Sequence, residues 1–147
     1  MMTASIENTP QSILFMCNYN SVRSPMAECL AKSHCGTSVF VDSVGIRADL
    51  MEVNHFSVSV MEELGLDLSN HKSKHFHELN DTSFDLVIAL NSEAHRKAIE
   101  LTRVYSTEVE YWPIEDPTTI KGSRENIMAA FREVRDELNK KIKNRLK

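Results

Sequence analysis

An α/β fold, a single domain with a four-stranded parallel sheet and helices on both faces, is predicted by three features of this 147-residue chain. Short, wholly apolar runs such as Ile13–Met16 and Leu86–Leu90 suit strands buried on both faces. Segments with helical apolar spacing lie between them. The alternation runs to the C-terminus without an internal repeat or linker, the pattern of helical crossovers between parallel strands. One domain over 12–147 is expected, after a polar, disordered tail over 1–11.

The first strand is Ile13-Leu14-Phe15-Met16. Ser24 as cap and Pro25 in the first turn then start a helix. Met26, Ala27, Leu30 and Ala31 give it an apolar face, and Gly36 stops it. Val39-Phe40-Val41 is the second strand. Phe56, Val60, Met61 and Leu64 mark a second helix, ended by Gly65. Residues 66–82 read as a polar loop with room for a short helix. Leu86–Leu90 is the third strand, and Asn91-Ser92 caps a helix carrying Ala94, Ala98, Ile99 and Leu101. Glu108–Trp112 is the fourth, weaker strand, and Pro113, Pro117 and Gly122 mark the loop beyond it. In the last helix Ile127, Phe131, Val134, Leu138, Ile142 and Leu146 recur every three or four residues. Ser123 caps that helix and Glu125 suits its positive end. Lys140, Lys141, Lys143, Arg145 and Lys147 complement its negative end, a solvated terminus in preference to an anion patch.

Composition excludes several function classes. A net charge of −4 and a pI near 5.9 argue against a nucleic-acid binder held by bulk positive charge. No apolar run approaches the roughly 20 residues of a membrane span. Met1–Glu7 lacks the basic start and apolar stretch of a signal peptide, so a cytoplasmic location is expected, with no membrane partner. Thiols stay reduced there, and an odd count of three cysteines argues against a disulfide framework. Each cysteine is then a small apolar residue or a reactive one.

Ligands of parallel sheets bind beyond the carboxyl ends of the strands. The loop after the first strand, Cys17-Asn18-Tyr19-Asn20-Ser21-Val22-Arg23-Ser24, is the first place to look. Its backbone N–H groups and the following helix N-terminus suit a tetrahedral oxyanion. A cysteine facing that spot is favoured as thiolate, the nucleophilic form. Arg23 brings a planar fork to two oxygens of the same anion. Ser24 can donate a hydrogen bond to the sulfur. Residues 18–24 are thus the expected phosphate-binding loop, with phosphate, sulfate or arsenate as the ligand.

Ile13 through Glu28 resembles the signature of the low-molecular-weight protein tyrosine phosphatases and the arsenate reductases built on the same fold: Cys-x5-Arg-Ser, then Pro and Met-Ala-Glu. Asp42-Ser43-Val44-Gly45, Gly65–Ser73 and Asp116-Pro117 resemble further segments of that family. The resemblance implies a phosphomonoesterase acting on a phosphorylated protein or a small phosphate ester. Cys17 would form a phosphocysteine, Arg23 and the loop amides would hold the equatorial oxygens, and Asp116 would serve as acid and then base. Asn20 matches the family asparagine that holds the loop shape, and no metal or other cofactor is implied. Glu115 is the fallback acid.

Three departures stand out. Val22 replaces a frequent second loop cysteine, which removes any disulfide within the loop. Tyr19 replaces a common glycine and either shapes the pocket rim or lies on the surface. Thr118-Thr119 replace the aromatics usual in the tyrosine phosphatases, while Trp112 and the tail look more like the reductases. Arsenate reduction with an external thiol is therefore the main alternative, and a non-catalytic phosphate-binding module is the other. Cys29 and Cys35 read as structural helix residues. His71, His75 and His77 read as surface loop histidines in preference to metal ligands.

Overall fold

The computed structural model describes residues 10–47, 51–79 and 83–146. Four parallel strands, β1 (Ser12–Cys17), β2 (Phe40–Gly45), β3 (Leu86–Ala89) and β4 (Glu108–Tyr111), form one sheet in the order β2-β1-β3-β4. The register pairs Cys17 with Gly45, Met16 with Ala89, and Ala89 with Tyr111. The chain returns to the far side of β1 after β2, so the crossover direction reverses between β1 and β3. The carboxyl end of β1 therefore faces the crevice where such sheets take ligands. The expected tail over 1–11 lies outside the described residues up to residue 9, whereas Gln11 accepts from the Phe40 amide at 2.9 Å and extends the pairing.

Helices α1 (Arg23–Cys35), α2 (His55–Glu62), α3 (Ser92–Leu101) and α4 (Arg124–Arg145) cover both faces of the sheet. Alternation along β1 separates the two cores. Ile13, Phe15 and Cys17 join Met26, Leu30, Met61, Phe131 and Leu138 from α1, α2 and α4. Leu14 and Met16 join Val87, Ala94 and Ala98 under α3. Short 3-10 turns lie at Phe76–Glu78 and Pro117–Thr119.

Two expectations are corrected. Ser24 does not cap α1: Val22 takes the cap position without a side-chain bond, and Ser24 is buried in the first turn. Ile99 does not face the core but is 49% exposed, since α3 meets the sheet through the small residues Ala94 and Ala98. Ser123 does cap α4, accepting from the Asn126 amide at 3.1 Å, and Gly36 closes α1 at φ 64°. Leu138→Ala, inside the larger core, is expected to cost about 2–5 kcal/mol, and Ile99→Ala less than about 1 kcal/mol. Urea midpoints of the two variants check this.

Candidate active site

Cys17 ends β1 in the sheet, and six residues later Arg23 opens α1. The intervening turn passes through Asn20, which has φ 55° and is fully buried. Asparagine tolerates this left-handed conformation better than most residues, because its short polar chain can bond locally. Here every polar atom of that side chain is used. Oδ1 accepts from the Lys74 amide and from His71 Nε2, both at 3.0 Å. Since Lys74 N–H can only donate, the amide orientation is settled, and Nδ2 donates to Ser24 Oγ at 2.8 Å and to Ser43 Oγ at 2.9 Å. The Asn20 carbonyl accepts from Ser73 Oγ at 2.6 Å.

The same network orients the sulfur. Ser24 Oγ receives from Asn20 and lies 2.9 Å from Cys17 Sγ, within hydrogen-bond reach, and its hydroxyl proton is free to donate to the sulfur when that is a thiolate. Ser43 donates to Glu28 Oε1 at 2.5 Å. Gly45 adds a steric requirement: a Cβ there would fall 2.8 Å from Asn18 O and 2.9 Å from Asn20 N. The loop is tied outward as well. Asn18 accepts from Asn91 and donates to Glu93 Oε1, and Ser21 Oγ donates to Glu52 O at 2.7 Å. Tyr19 lies under the Arg47 guanidinium, 5.7 Å from its ring centre.

Cys17, Tyr19, Ser21, Val22, Arg23 and Asp116 line one small cavity of about 70 Å3 together with Met51 and Thr118. Cys17 is 3% exposed and Arg23 8%. Arg23 Nη1 donates to Ile114 O at 2.8 Å, and among the described residues no carboxylate pairs with this cation. A nearly buried, unpaired guanidinium facing a cavity is suited to an anion. Asp116 reaches the cavity from the turn after β4, while Glu115 is exposed and does not line it. Of the loop residues expected to cradle phosphate, Asn18 and Asn20 turn their side chains away from the cavity to hold the loop, and Ser24 lies against the sulfur. Tyr19 is at the cavity rim.

His71 corrects the reading of a surface loop histidine: its side chain is largely buried and supports Asn20. His75 and His77 stay in the loop, where His75 Nδ1 accepts from the His77 amide at 3.1 Å. Ser43, Gly45, His71 and Ser73 lie in two of the segments that carry the sequence resemblance, yet their roles show only in three dimensions. Met51 sits in a segment without a sequence signal. Cys29 and Cys35 are free thiols on α1, and burial pushes both thiols up from the ordinary range.

The family model for low molecular weight phosphotyrosine protein phosphatases matches residues 12–147. An arsenate reductase of Bacillus subtilis (strain 168) is 36% identical over 131 residues, 89% of this chain and 91% of that relative. A solved arsenate reductase in its oxidized state superposes with a TM-score of 0.76 at 27% identity, covering 92% of this chain and 96% of that one. A solved arginine phosphatase mutant with a phosphorylated active-site serine superposes with a TM-score of 0.70 at 26% identity, covering 89% and 90%.

Desolvation holds His71 below the ordinary histidine range, although Glu28 Oε1 lies 3.9 Å away and opposes the shift. The unfolded chain takes up this proton near pH 6.5, and the folded chain only at lower pH. The His71 contribution to stability is therefore fully present above about pH 6.5 and is lost as pH falls toward the folded value. Urea midpoints should fall between about pH 7 and pH 5, and less steeply in His71→Gln. Equal slopes in both proteins would contradict the assignment.

Proposed function

The chain belongs to the low molecular weight phosphotyrosine protein phosphatase family, and from that premise we propose that it hydrolyses phosphate monoesters through a phosphocysteine on Cys17. The observation that carries this reading is Arg23, a nearly buried cation with no carboxylate partner among the described residues, lining the same cavity as Cys17 and Asp116. In this reading Arg23 and the N-terminus of α1 hold the phosphoryl oxygens, where the transition state carries its charge. Ser24 supports the sulfur as nucleophile and then as leaving group. Asp116 protonates the departing oxygen and activates water in the second step. The substrate is a phosphorylated protein or a small phosphate ester, and the reducing cytoplasm keeps Cys17 a thiol. No helix among the described residues is long and apolar enough to cross a membrane.

Arsenate reduction is the second reading, favoured by the names of the similar relatives. Arsenate mimics phosphate and fits the same cradle. A disulfide relay within the chain needs Cα atoms within about 7 Å. Cys29 and Cys35, further along α1, do not line the cavity that holds Cys17, and Cys29 lines a separate one with Glu28 and Asp67. An external small thiol is therefore the form of reduction that these residues support.

Cys17→Ser is expected to abolish hydrolysis of p-nitrophenyl phosphate, measured at steady state. Unchanged turnover would refute the nucleophile assignment. Asp116→Asn should slow phenyl phosphate, the poorer leaving group, by about a hundredfold and p-nitrophenyl phosphate by less. Arsenite release from arsenate plus glutathione, outpacing ester hydrolysis, would reverse the order of the two readings.

A further inference from the structure

Thr118 and Thr119, the sequence departure without an evident purpose, form a clamp on the acid. Asp116 Oδ1 accepts two hydrogen bonds from Thr118, from the amide at 2.9 Å and from Oγ1 at 2.6 Å. Thr119 Oγ1 donates to the Asp116 carbonyl at 3.0 Å, fixing the backbone beneath. Among the described residues no donor reaches Asp116 Oδ2. A carboxyl oxygen that already accepts two donors is a poor place for a proton, because a proton there would face both donors.

We propose that Thr118 is a positioning residue that confines the transferable proton of Asp116 to Oδ2 and aims that oxygen into the Cys17 cavity. This rests on the phosphomonoesterase reading above. In the first step the Cys17 thiolate attacks phosphorus, the S–P bond forms, the ester P–O bond breaks, and the proton on Oδ2 passes to the departing oxygen. In the second step water forms the new P–O bond, the S–P bond breaks, and the released water proton returns to Oδ2. Thr118 neither gains nor loses a proton in either step.

Hydrogen bonding alone does not make such a role. Asp67 accepts the same pair of bonds from Ser69, at 2.9 and 2.6 Å, and there they close a turn outside the Cys17 cavity. The difference at Asp116 is location: acid and threonine both line the cavity that holds the sulfur. Thr118 is also exposed, so loss of its hydroxyl removes an orienting contact and little packing.

The test compares kcat/KM for phenyl phosphate and p-nitrophenyl phosphate in Thr118→Val, Thr118→Ser, Asp116→Asn and the double variant Asp116→Asn/Thr118→Val. Thr118→Val is expected to lower the value for phenyl phosphate about five- to tenfold, with a smaller loss for the better leaving group. Thr118→Ser should restore it, and Thr118→Val should add nothing once Asp116 is asparagine. Equal losses on both substrates, no loss, absence of rescue by serine, or an additive double variant would each overturn the clamp. A uniform effect of Asp116→Asn on both substrates would instead overturn the acid assignment on which the clamp rests.

Discussion

The turn from β1 into α1 needs a left-handed residue in a place that admits no water, and Asn20 meets both conditions. A non-glycine residue at positive φ costs of order 1 kcal/mol, and a buried amide without partners costs more. Both costs are offset because each polar atom of its side chain is bonded, to Ser24, Ser43, His71 and Lys74. The network is closed, and a closed buried network resists rearrangement. Sulfur orientation depends on it through Ser24, and the close approach of β2 depends on it through Ser43 and the bare Cα of Gly45.

Arg23 couples this rigid loop to the segment that carries the acid. Its Nη1 holds the Ile114 carbonyl two residues before Asp116, and Ile114 N in turn donates to Leu90 O at the end of β3. The guanidinium therefore does two things at once: it presents charge to the cavity and sets where the chain after β4 begins. Pro117 and the two threonines then fix the turn. Parallel topology makes this economical, since the carboxyl ends of β1, β3 and β4 open on the same edge of the sheet.

Local signals were legible in the sequence wherever one segment decides its own structure. The apolar runs Ile13–Met16 and Leu86–Leu90, the Ser123 start of α4 and the Gly36 stop of α1 all depend on near neighbours. So does the spacing from Cys17 to Arg23. What escaped depends on contacts between distant segments. Ser24 reads as a cap because serine before proline is a cap signal, but Cys17 and Asn20 compete for its hydroxyl and win. His71 sits in a polar stretch and is buried only because Asn20, 51 positions away, needs a donor. Ile99 is apolar, but it lies one residue, about 100° of helix, past the face that Ala94 and Ala98 turn to the sheet. Met51 carries no pattern at all and reaches the cavity through tertiary placement.

Phosphatase and reductase readings share the cradle and part company at the fate of the sulfur. In the first it holds phosphorus for part of each turnover; in the second it ends in a disulfide with the external thiol as the two thiols give arsenate two electrons. The most direct measurement is rapid acid quench of the protein turning over a phosphate ester, followed by peptide mapping by mass spectrometry. One phosphoryl group is expected on the peptide containing Cys17, absent in Cys17→Ala. Turnover without any such adduct, or with the phosphoryl group on another residue, would contradict it.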